Sequence, residues 1–370
     1  MSRAASPPRR RRATADDARL RIALHRLLDA VDRELDQRRV EADLQPARDA
    51  TVDIAGLSSL RRGLPGLAAL GVNALRRLAA VDGDDVARSV RGVADVLSRH
   101  AELAARRRHG GSSVDDFGFD REWTETLVPL SAWLYRNWWR VQAIGVENVP
   151  ATGRALLVGN HAGVIPYDGA MVRTALLLEH SRPRHARALV LDGLFSMPGV
   201  SWLMRRTGHT LAHHADARML LERDELVLVF PEGVKGTGKP YADRYRLRRF
   251  GRGGFVEVAL RARSPIVPVS IVGSEEIHPN LAEIPGVARL LGLPYMPVTP
   301  TFPWLGPAGL VPLPSSWIIE FHEPIDVAAH SDDTLSEPGR VLAISDHVRD
   351  VIQAGVYRNL QRRQSVFTLS

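Results

Sequence analysis

A histidine and an aspartate that follow an apolar run are the residues of this sequence best suited to acid–base chemistry. His161 and Asp168 come shortly after residues 155–158, Ala-Leu-Leu-Val. Histidine titrates near neutral pH, so His161 is a suitable general base for a hydroxyl proton. A carboxylate that accepts from the second ring nitrogen would fix the tautomer and stabilise the imidazolium. We therefore predict His161 as the base and Asp168 as the residue that orients it.

The separation of the pair limits how the two side chains can meet. On a continuous α-helix, seven residues span about 10 Å, which is too far for a hydrogen bond. The loop must therefore fold back, and Gly163 and Pro166 are residue types that permit a bend. In the alternative interpretation, Asp168 only caps a helix that begins at Gly169, and His161 is an ordinary loop histidine.

A glycine-rich segment supplies the second cluster of candidate residues. It follows apolar residues 226–229 and contains Phe230, Pro231, Glu232, Gly233, Lys235 and Lys239. Lys235 and Lys239 are the only two lysines in the chain, which has 49 lysine and arginine residues in total. Glycine N–H groups can approach a phosphate closely, and both ammonium groups fall in this loop, so the pattern favours an anion-facing role.

The same segment imitates a nucleotide-binding P-loop. Gly233, Gly238 and Lys239 have the required spacing, but Pro240 stands where a P-loop needs Ser or Thr for magnesium. A nucleotide triphosphatase is therefore not expected.

The histidines His209, His213 and His214 are the candidates for a metal site. They lack an H-E-x-x-H spacing, and the chain has no cysteine. We therefore predict no metal. The absence of cysteine also excludes disulfides and a cysteine nucleophile.

Short apolar runs alternate with helical patterns in the second part of the chain. Runs of this kind, separated by helices, are typical of an α/β domain with a mixed, largely parallel sheet flanked by helices and buried on both faces. Ligand sites in such sheets lie beyond the carboxyl ends of the strands. His161 and Glu232 each follow such an end, so we expect the two clusters at one sheet edge.

Composition divides the chain into a basic arm predicted to be disordered, a helical appendage, a linker and the α/β domain. These are residues 1–15, 16–105, 106–113 and 114–370. The first thirteen residues contain five arginines and no acid, which leaves only +2 of the formal net charge of +7 for the rest. The arm could touch anionic lipid or remain a solvated tail, and no nucleic-acid partner is expected.

Two segments indicate contact with a membrane surface from one side. Trp133, Tyr135, Trp138 and Trp139 are interleaved with arginines, which is typical of an interfacial helix or of an aromatic helix packed on the sheet. Residues 290–319 contain seven prolines and no charged residue. We therefore expect this apolar loop to cover protein core, an acyl chain or the bilayer. Without a secretory signal or an 18-residue apolar run, we expect a cytoplasmic protein, peripheral on the inner face of the cell membrane.

Three sequence blocks together resemble the glycerolipid (lysophospholipid) acyltransferase superfamily over roughly residues 120–325. The blocks are Asn160-His161 with Asp168, the turn 230–233, and the strand 265–269. The resemblance implies the base role for His161 and the orienting role for Asp168. It also implies that Glu232 and Gly233 bind the acceptor. The acyl donor would be a thioester of coenzyme A or acyl carrier protein, used as co-substrate without a cofactor.

Two departures from the family pattern bear on the acceptor. Six residues separate His161 from Asp168, whereas the common pattern has four. The family's second block usually ends in an arginine that binds the acceptor phosphate, and His213 and His214 stand in that place. A neutral acceptor such as a mono- or diacylglycerol is therefore an alternative to a phosphorylated one, unless Lys235 and Lys239 supply the missing charge.

The sequence thus predicts an acyltransferase that moves a fatty acyl group to a hydroxyl of a lysophospholipid or acylglycerol. Asn160, Phe230 and Pro231 complete the predicted substrate-binding set. Direct transfer is favoured over an acyl-enzyme, because the chain has neither a G-x-S-x-G motif nor cysteine. Two alternatives share the fold: a catalytically silent lipid-binding protein, and a thioester hydrolase.

Overall fold

The structure is a computed structural model of the chain. It describes residues 114–163, 165, 167–195, 200–283, 297–302, 304, 309–327 and 332–366. The predicted basic arm, helical appendage and linker lie outside the described residues.

A seven-stranded sheet forms the centre of the domain. Its strands are β1 (Gln142–Ile144), β2 (Ala155–Gly159), β3 (Ala186–Val190), β4 (His209–Leu211), β5 (Leu226–Val229), β6 (Ile266–Val272) and β9 (Ile318–Phe321). In the sheet they lie in the order β1-β9-β6-β2-β5-β3-β4. Neighbouring strands are parallel except for β6 and β9, which pair antiparallel. The predicted α/β class with a mixed, largely parallel sheet is confirmed. A separate antiparallel pair joins β7 (Ala282–Glu283) to β8 (Pro297–Val298).

Helices connect most of the strands. They are α1 (Arg121–Trp133), α2 (Tyr167–Leu178), α3 (Asp192–Phe195), α4 (Val200–Arg206), α5 (His214–Glu222), α6 (Val234–Thr237), α7 (Gly254–Ala262) and α8 (Pro338–Arg362). Across the part of the chain that the structure describes, none of them combines the length and the apolar character needed to span a bilayer.

The sheet is buried on both faces, which explains its nearly continuous apolar strands. Leu157 belongs to one core cluster, together with Met171 of α2. Leu156 and Val158 belong to the opposite cluster, together with side chains of α5, α7 and α8. Each fully buried aliphatic side chain contributes about 1.5–3 kcal/mol of transfer free energy. The ends of these central strands are therefore a rigid base for side chains in the loops that follow.

The tryptophan-rich segment packs largely inside the domain. A π-helical turn, Leu134–Trp138, follows α1, and both Tyr135 and Trp139 are fully buried. The indole N–H of Trp138 donates to the carbonyl of Pro312, and that of Trp139 donates to Leu313. The described end of the proline-rich loop therefore covers protein core at this point, and two of the four predicted interfacial aromatics are core residues.

Candidate active site

His161 and Asp168 meet at the carboxyl end of β2. His161 follows the strand after one residue, while Asp168 lies in the first turn of α2. Nδ1 of His161 lies 2.7 Å from Oδ2 of Asp168. The loop folds back as expected, and Gly163 takes a φ of +90° that favours glycine. Pro166, the other residue predicted to permit the bend, lies outside the described residues.

The carboxylate of Asp168 is held by more than the imidazole. Oδ2 also accepts the backbone N–H of Ala162 at 3.0 Å, and Oδ1 accepts that of Gly169 at 2.8 Å. A buried carboxylate needs such partners to offset the loss of water. Asp168 is therefore fixed both to the loop and to the helix, and it presents one oxygen to the ring of His161.

Phe230 lies flat against the imidazole of His161. The ring centroids are 4.4 Å apart, and the planes are inclined by 13°. Two glycines leave room for the phenyl ring, because a Cβ on Gly159 or Gly169 would lie 2.9 or 3.3 Å from its edge atoms. Phe230 thus restricts the rotation of the candidate base from one face.

Glu232 holds the main chain of the candidate base. One carboxylate oxygen accepts the N–H of His161 at 2.9 Å, and the other accepts the N–H of Arg248 at 2.6 Å. Burial raises the pKa of Glu232, while nearby Lys239 and the two N–H donors oppose that change. With both oxygens engaged, Glu232 positions His161. Its role in binding the acceptor stays a prediction.

Asn160 ties the end of β2 to β6. Its Nδ2 donates to the carbonyl of Ile271 at 2.9 Å, and its Oδ1 accepts the N–H of Ile271 at 2.7 Å. Both halves of the amide are therefore used within the protein. Gly233 turns the chain with a φ of +53°, and half-buried Pro231 precedes Glu232 in that turn.

The two lysines lie in different environments. Nζ of Lys239 is 2.7 Å from a carboxylate oxygen of Glu275 and donates to the carbonyl of Arg246 at 2.9 Å. Its side chain is only 4% exposed, so its charge is compensated inside the protein, which does not favour the predicted anion-facing role. Lys235 is exposed on α6. That helix has four residues, unlike the long helix of a P-loop.

The three histidines considered for a metal site lie in different environments. Burial, together with the Arg173 guanidinium, lowers the pKa of His209, while His213 and His214 are exposed. Arg206 forms an ion pair with Asp120 at 2.5 Å. Within the described ranges, no group of three or more His, Asp or Glu side chains is arranged to hold a metal ion.

Two contributions to the site were not predicted from the sequence. Gly236 approaches His161 so closely that a Cβ there would lie 2.7 Å from the His161 carbonyl oxygen. The polar segment after β6 supplies Glu275, His278 and Asn280 to a small cleft beside Ala162 and Gly163. This segment directly follows a buried strand, as His161 and Glu232 do, and that position could have indicated its place in the site from the sequence.

The resulting arrangement suits the removal of a proton by His161. Asp168 takes Nδ1, which leaves Nε2 as the nitrogen for a substrate proton. The side chain of His161 keeps 14% exposure while Asp168 has none. A carboxylate inside and a partly exposed imidazole outside form the arrangement that general-base catalysis requires.

Comparisons with known proteins indicate the family of the chain. A family model described as Acyltransferase matches residues 140–272, which contain both candidate clusters. An uncharacterized protein of Mycobacterium tuberculosis is 46% identical over 293 residues, covering 79% of this chain and 82% of that protein. An uncharacterized protein of Mycobacterium leprae is 48% identical over 276 residues, covering 73% and 75%.

More distant similarities extend to proteins with named activities. A Gallus gallus protein called DGAT1/2-independent enzyme synthesizing storage lipids is 26% identical over 181 residues, covering 49% of this chain and 53% of that one. The 1-acyl-sn-glycerophosphate (LPA) acyltransferase of Thermotoga maritima has 19% identity and a TM-score of 0.44, covering 75% of this chain and 99% of that one. The chain therefore belongs to one family with the mycobacterial relatives, and its residues 140–272 match the Acyltransferase family model.

Proposed function

We propose that this protein transfers a fatty acyl group from an acyl thioester, either acyl-CoA or acyl carrier protein, to a hydroxyl of a lysophospholipid or acylglycerol. The supporting observation is the hydrogen bond between His161 and Asp168, in a loop whose main chain Glu232 holds. The name of the Gallus gallus relative supports a lipid acceptor. No metal or other cofactor enters the proposal.

In the proposed reaction, the acceptor oxygen attacks the thioester carbonyl carbon while Nε2 of His161 takes the hydroxyl proton. The tetrahedral intermediate collapses, the carbon–sulfur bond breaks, and the imidazolium returns the proton to the leaving thiolate. The products are a lipid ester and a free thiol, so atoms and charge balance. Backbone N–H groups of the adjacent loops would stabilise the oxyanion. Cysteine is absent from the chain, and direct transfer needs no covalent intermediate.

An exposed apolar surface supports peripheral contact with the inner face of the cell membrane. Leu191, Trp202 and Leu203 are 47%, 54% and 43% exposed. Leu191 directly follows β3, which runs parallel to its neighbour β5, and its Cδ1 lies 3.9 Å from where a Cβ on Gly233 would stand. Scattered apolar side chains are ordinary, but an exposed leucine beside the turn at Gly233 is suited to contact with a lipid.

The test is an acylation assay with purified protein, acyl-CoA and a mixed lipid extract, read by mass spectrometry of lipids and by thiol release. His161→Ala should abolish ester formation with the fold retained. The matched control is His347→Ala, an exposed histidine of α8, which should leave the rate unchanged. Full activity in His161→Ala would contradict the mechanism. Thiol release without any acceptor would indicate a hydrolase instead, and no reaction with any lipid would favour a silent binding protein.

A further inference from the structure

An arginine-rich segment lies beside the candidate base and takes no part in the proposed chemistry. Residues 243–252 contain five arginines against one acid, a net charge of +4, and the arginines are Arg244, Arg246, Arg248, Arg249 and Arg252. The carboxylate of Glu232 accepts the backbone N–H of Arg248 through one oxygen and that of His161 through the other. The arginine segment, residues 244–252, therefore lies one carboxylate away from the main chain of the base.

Side chains from other elements fix the backbone of the arginine segment. Lys239 donates to the carbonyl of Arg246 at 2.9 Å. Gln353 of α8 accepts the N–H of Leu247 at 2.8 Å and donates to the carbonyl of Tyr245 at 2.7 Å. An ordinary solvated run of charges needs no such support, because water can satisfy its backbone. The arginines are therefore carried on a main chain that is held in place relative to the candidate base.

Several guanidinium groups of the segment have no partner within the described ranges. Arg248 is paired with Asp243 at 2.9 Å, and the guanidinium of Arg244 lies over the ring of Tyr241. The exposed arginines whose side chains have neither a hydrogen bond nor an ion pair with a described residue are Arg246, Arg249 and Arg252. Arginine is suited to phosphate because its planar fork can donate two N–H groups to one phosphate. Three such groups on a fixed backbone suit a ligand with several phosphates.

The positive charges extend further than one phosphate can reach. The segment follows α8 from Gln353, which bonds Tyr245 and Leu247, to Ser345, whose hydroxyl donates to the carbonyl of Phe250 at 3.4 Å. These two positions are about 12 Å apart along the helix axis. A lysophosphatidic acid has a single phosphate, whereas coenzyme A has a diphosphate and a separate 3′-phosphate. The length of the segment therefore favours the donor over a phosphorylated acceptor.

The surface around the segment lacks the apolar side chains of a bilayer contact. All residues from 241 to 263 are described, and none of them is an exposed large hydrophobic residue. Segments that insert into the membrane interface combine basic residues with exposed Trp, Phe or Leu. The composition of this surface therefore favours a soluble polyanion over the membrane.

We propose that the arginine segment binds the phosphate groups of coenzyme A in the acyl donor. This inference rests on the proposed function and commits the donor to an acyl-CoA rather than an acyl carrier protein. The pantetheine arm between the diphosphate and the sulfur is uncharged and flexible, so it can extend from the arginines to the thioester beside His161. Arg246, Arg249 and Arg252 thus hold the donor and take no part in the transfer of the proton.

Calorimetry with free coenzyme A measures this binding without turnover. Arg246→Glu/Arg249→Glu reverses two unpaired charges and should weaken the Kd roughly ten-fold, because each exposed charge contact contributes modestly. The matched control is Arg136→Glu/Arg182→Glu, which changes the net charge equally at two exposed arginines, one in the π-helical turn and one after α2. Its Kd should stay unchanged. Dephospho-coenzyme A, which lacks the 3′-phosphate, should bind the wild type more weakly and lose less affinity in the variant.

Steady-state kinetics with two donors identify the part of the donor that the arginines hold. In Arg246→Glu/Arg249→Glu, KM for an acyl-CoA should rise roughly ten-fold. KM for the corresponding acyl-pantetheine, which has no phosphate, should stay the same, and so should kcat with either donor. Arg246→Gln/Arg249→Gln should shift KM for acyl-CoA in the same direction by a smaller factor, and it replaces the Glu pair if that variant fails to fold.

Equal affinity for coenzyme A in the wild type and in Arg246→Glu/Arg249→Glu would overturn the inference, and so would an equal loss in the control pair. With coenzyme A binding unchanged, a loss of affinity for phosphatidylglycerol vesicles would assign the segment to the membrane. A loss for acyl carrier protein would assign it to an acidic protein, and a loss for lysophosphatidic acid would assign it to the acceptor. Arginine-dependent binding of coenzyme A with no acyl transfer in the wild type would overturn the proposed function alone.

Discussion

The imidazole of His161 and the carboxylate of Asp168 are joined by a hydrogen bond of 2.7 Å, and they differ sharply in exposure. The Asp168 side chain is fully buried, while that of His161 is 14% exposed. The imidazole of His161 is therefore the accessible member of the pair, while the Asp168 carboxylate lies in the core. Asp168 contacts the His161 ring and the backbone of Ala162 and Gly169, so in the proposed reaction it would act by positioning His161 and its loop.

Asp168→Asn should lower kcat roughly 100- to 10,000-fold, which is the range for loss of effective general-base catalysis. An amide that keeps its oxygen on the Gly169 N–H presents its NH2 group to Nδ1 of His161 and to the Ala162 N–H, and it favours the wrong tautomer of His161. KM for both substrates should change little, because Asp168 touches neither. Steady-state kinetics with a circular dichroism check of the fold measure both. Asp350→Asn, on the exposed face of α8, is the control. An unchanged kcat in Asp168→Asn would show that the hydrogen bond has no catalytic role.

Glu232→Gln separates positioning of the base from binding of the acceptor. The carboxylate accepts two backbone N–H groups, from His161 and Arg248, and an amide can accept only one of them well. We expect a stability loss of roughly 1–3 kcal/mol and a lower kcat, because the His161 main chain shifts. KM for the acceptor should stay near its original value. A selective rise in that KM would instead assign Glu232 to acceptor binding.

Strands could be predicted from the sequence where a local run of apolar residues marks them. Strands β2, β5 and β6 are interior and apolar, so their runs could be recognised without coordinates. Edge strands β1 and β4 have three residues each, too few for a periodic pattern. The antiparallel entry of β9 beside β6 depends on long-range packing, and no local feature of Ile318–Phe321 specifies it.

The site shows the same division between local and distant causes. His161 could be predicted from residue type and from the apolar strand before it. The partners of Glu232 could not, because they are backbone N–H groups 71 and 16 positions away, and every residue but proline carries one. Lys239 was predicted to face an anionic group of a substrate, whereas its ammonium is paired inside the protein with Glu275, 36 residues further along the chain.

Gly236→Ala should disturb the base without touching its side chain. An added Cβ would lie 2.7 Å from the carbonyl oxygen of His161 and 3.0 Å from its Cβ, so the loop has to move. Overpacking of this kind costs about 1–3 kcal/mol, and we expect at least a ten-fold loss of kcat. Gly339→Ala is the matched control, since nothing lies within 4 Å of its Cβ position. Equal activity of both variants would show that the loop tolerates displacement.

The buried carboxyl group of Glu275 should make stability depend on pH. Burial raises the pKa of Glu275 from its ordinary 4.5 to about 7, although Lys239 opposes that change. Because the folded-state pKa is the higher one, the contribution of Glu275 is fully present below pH 4.5 and is lost as the pH rises through about 7. The shift corresponds to roughly 3 kcal/mol of unfolding free energy. Urea unfolding at several pH values between 4.5 and 8 measures it. The comparison is with Lys239→Met/Glu275→Gln, which leaves no lone buried charge, and its stability should fall less steeply over that window. Identical slopes in the two proteins would mean that Glu275 titrates in the folded state as it does in the unfolded chain.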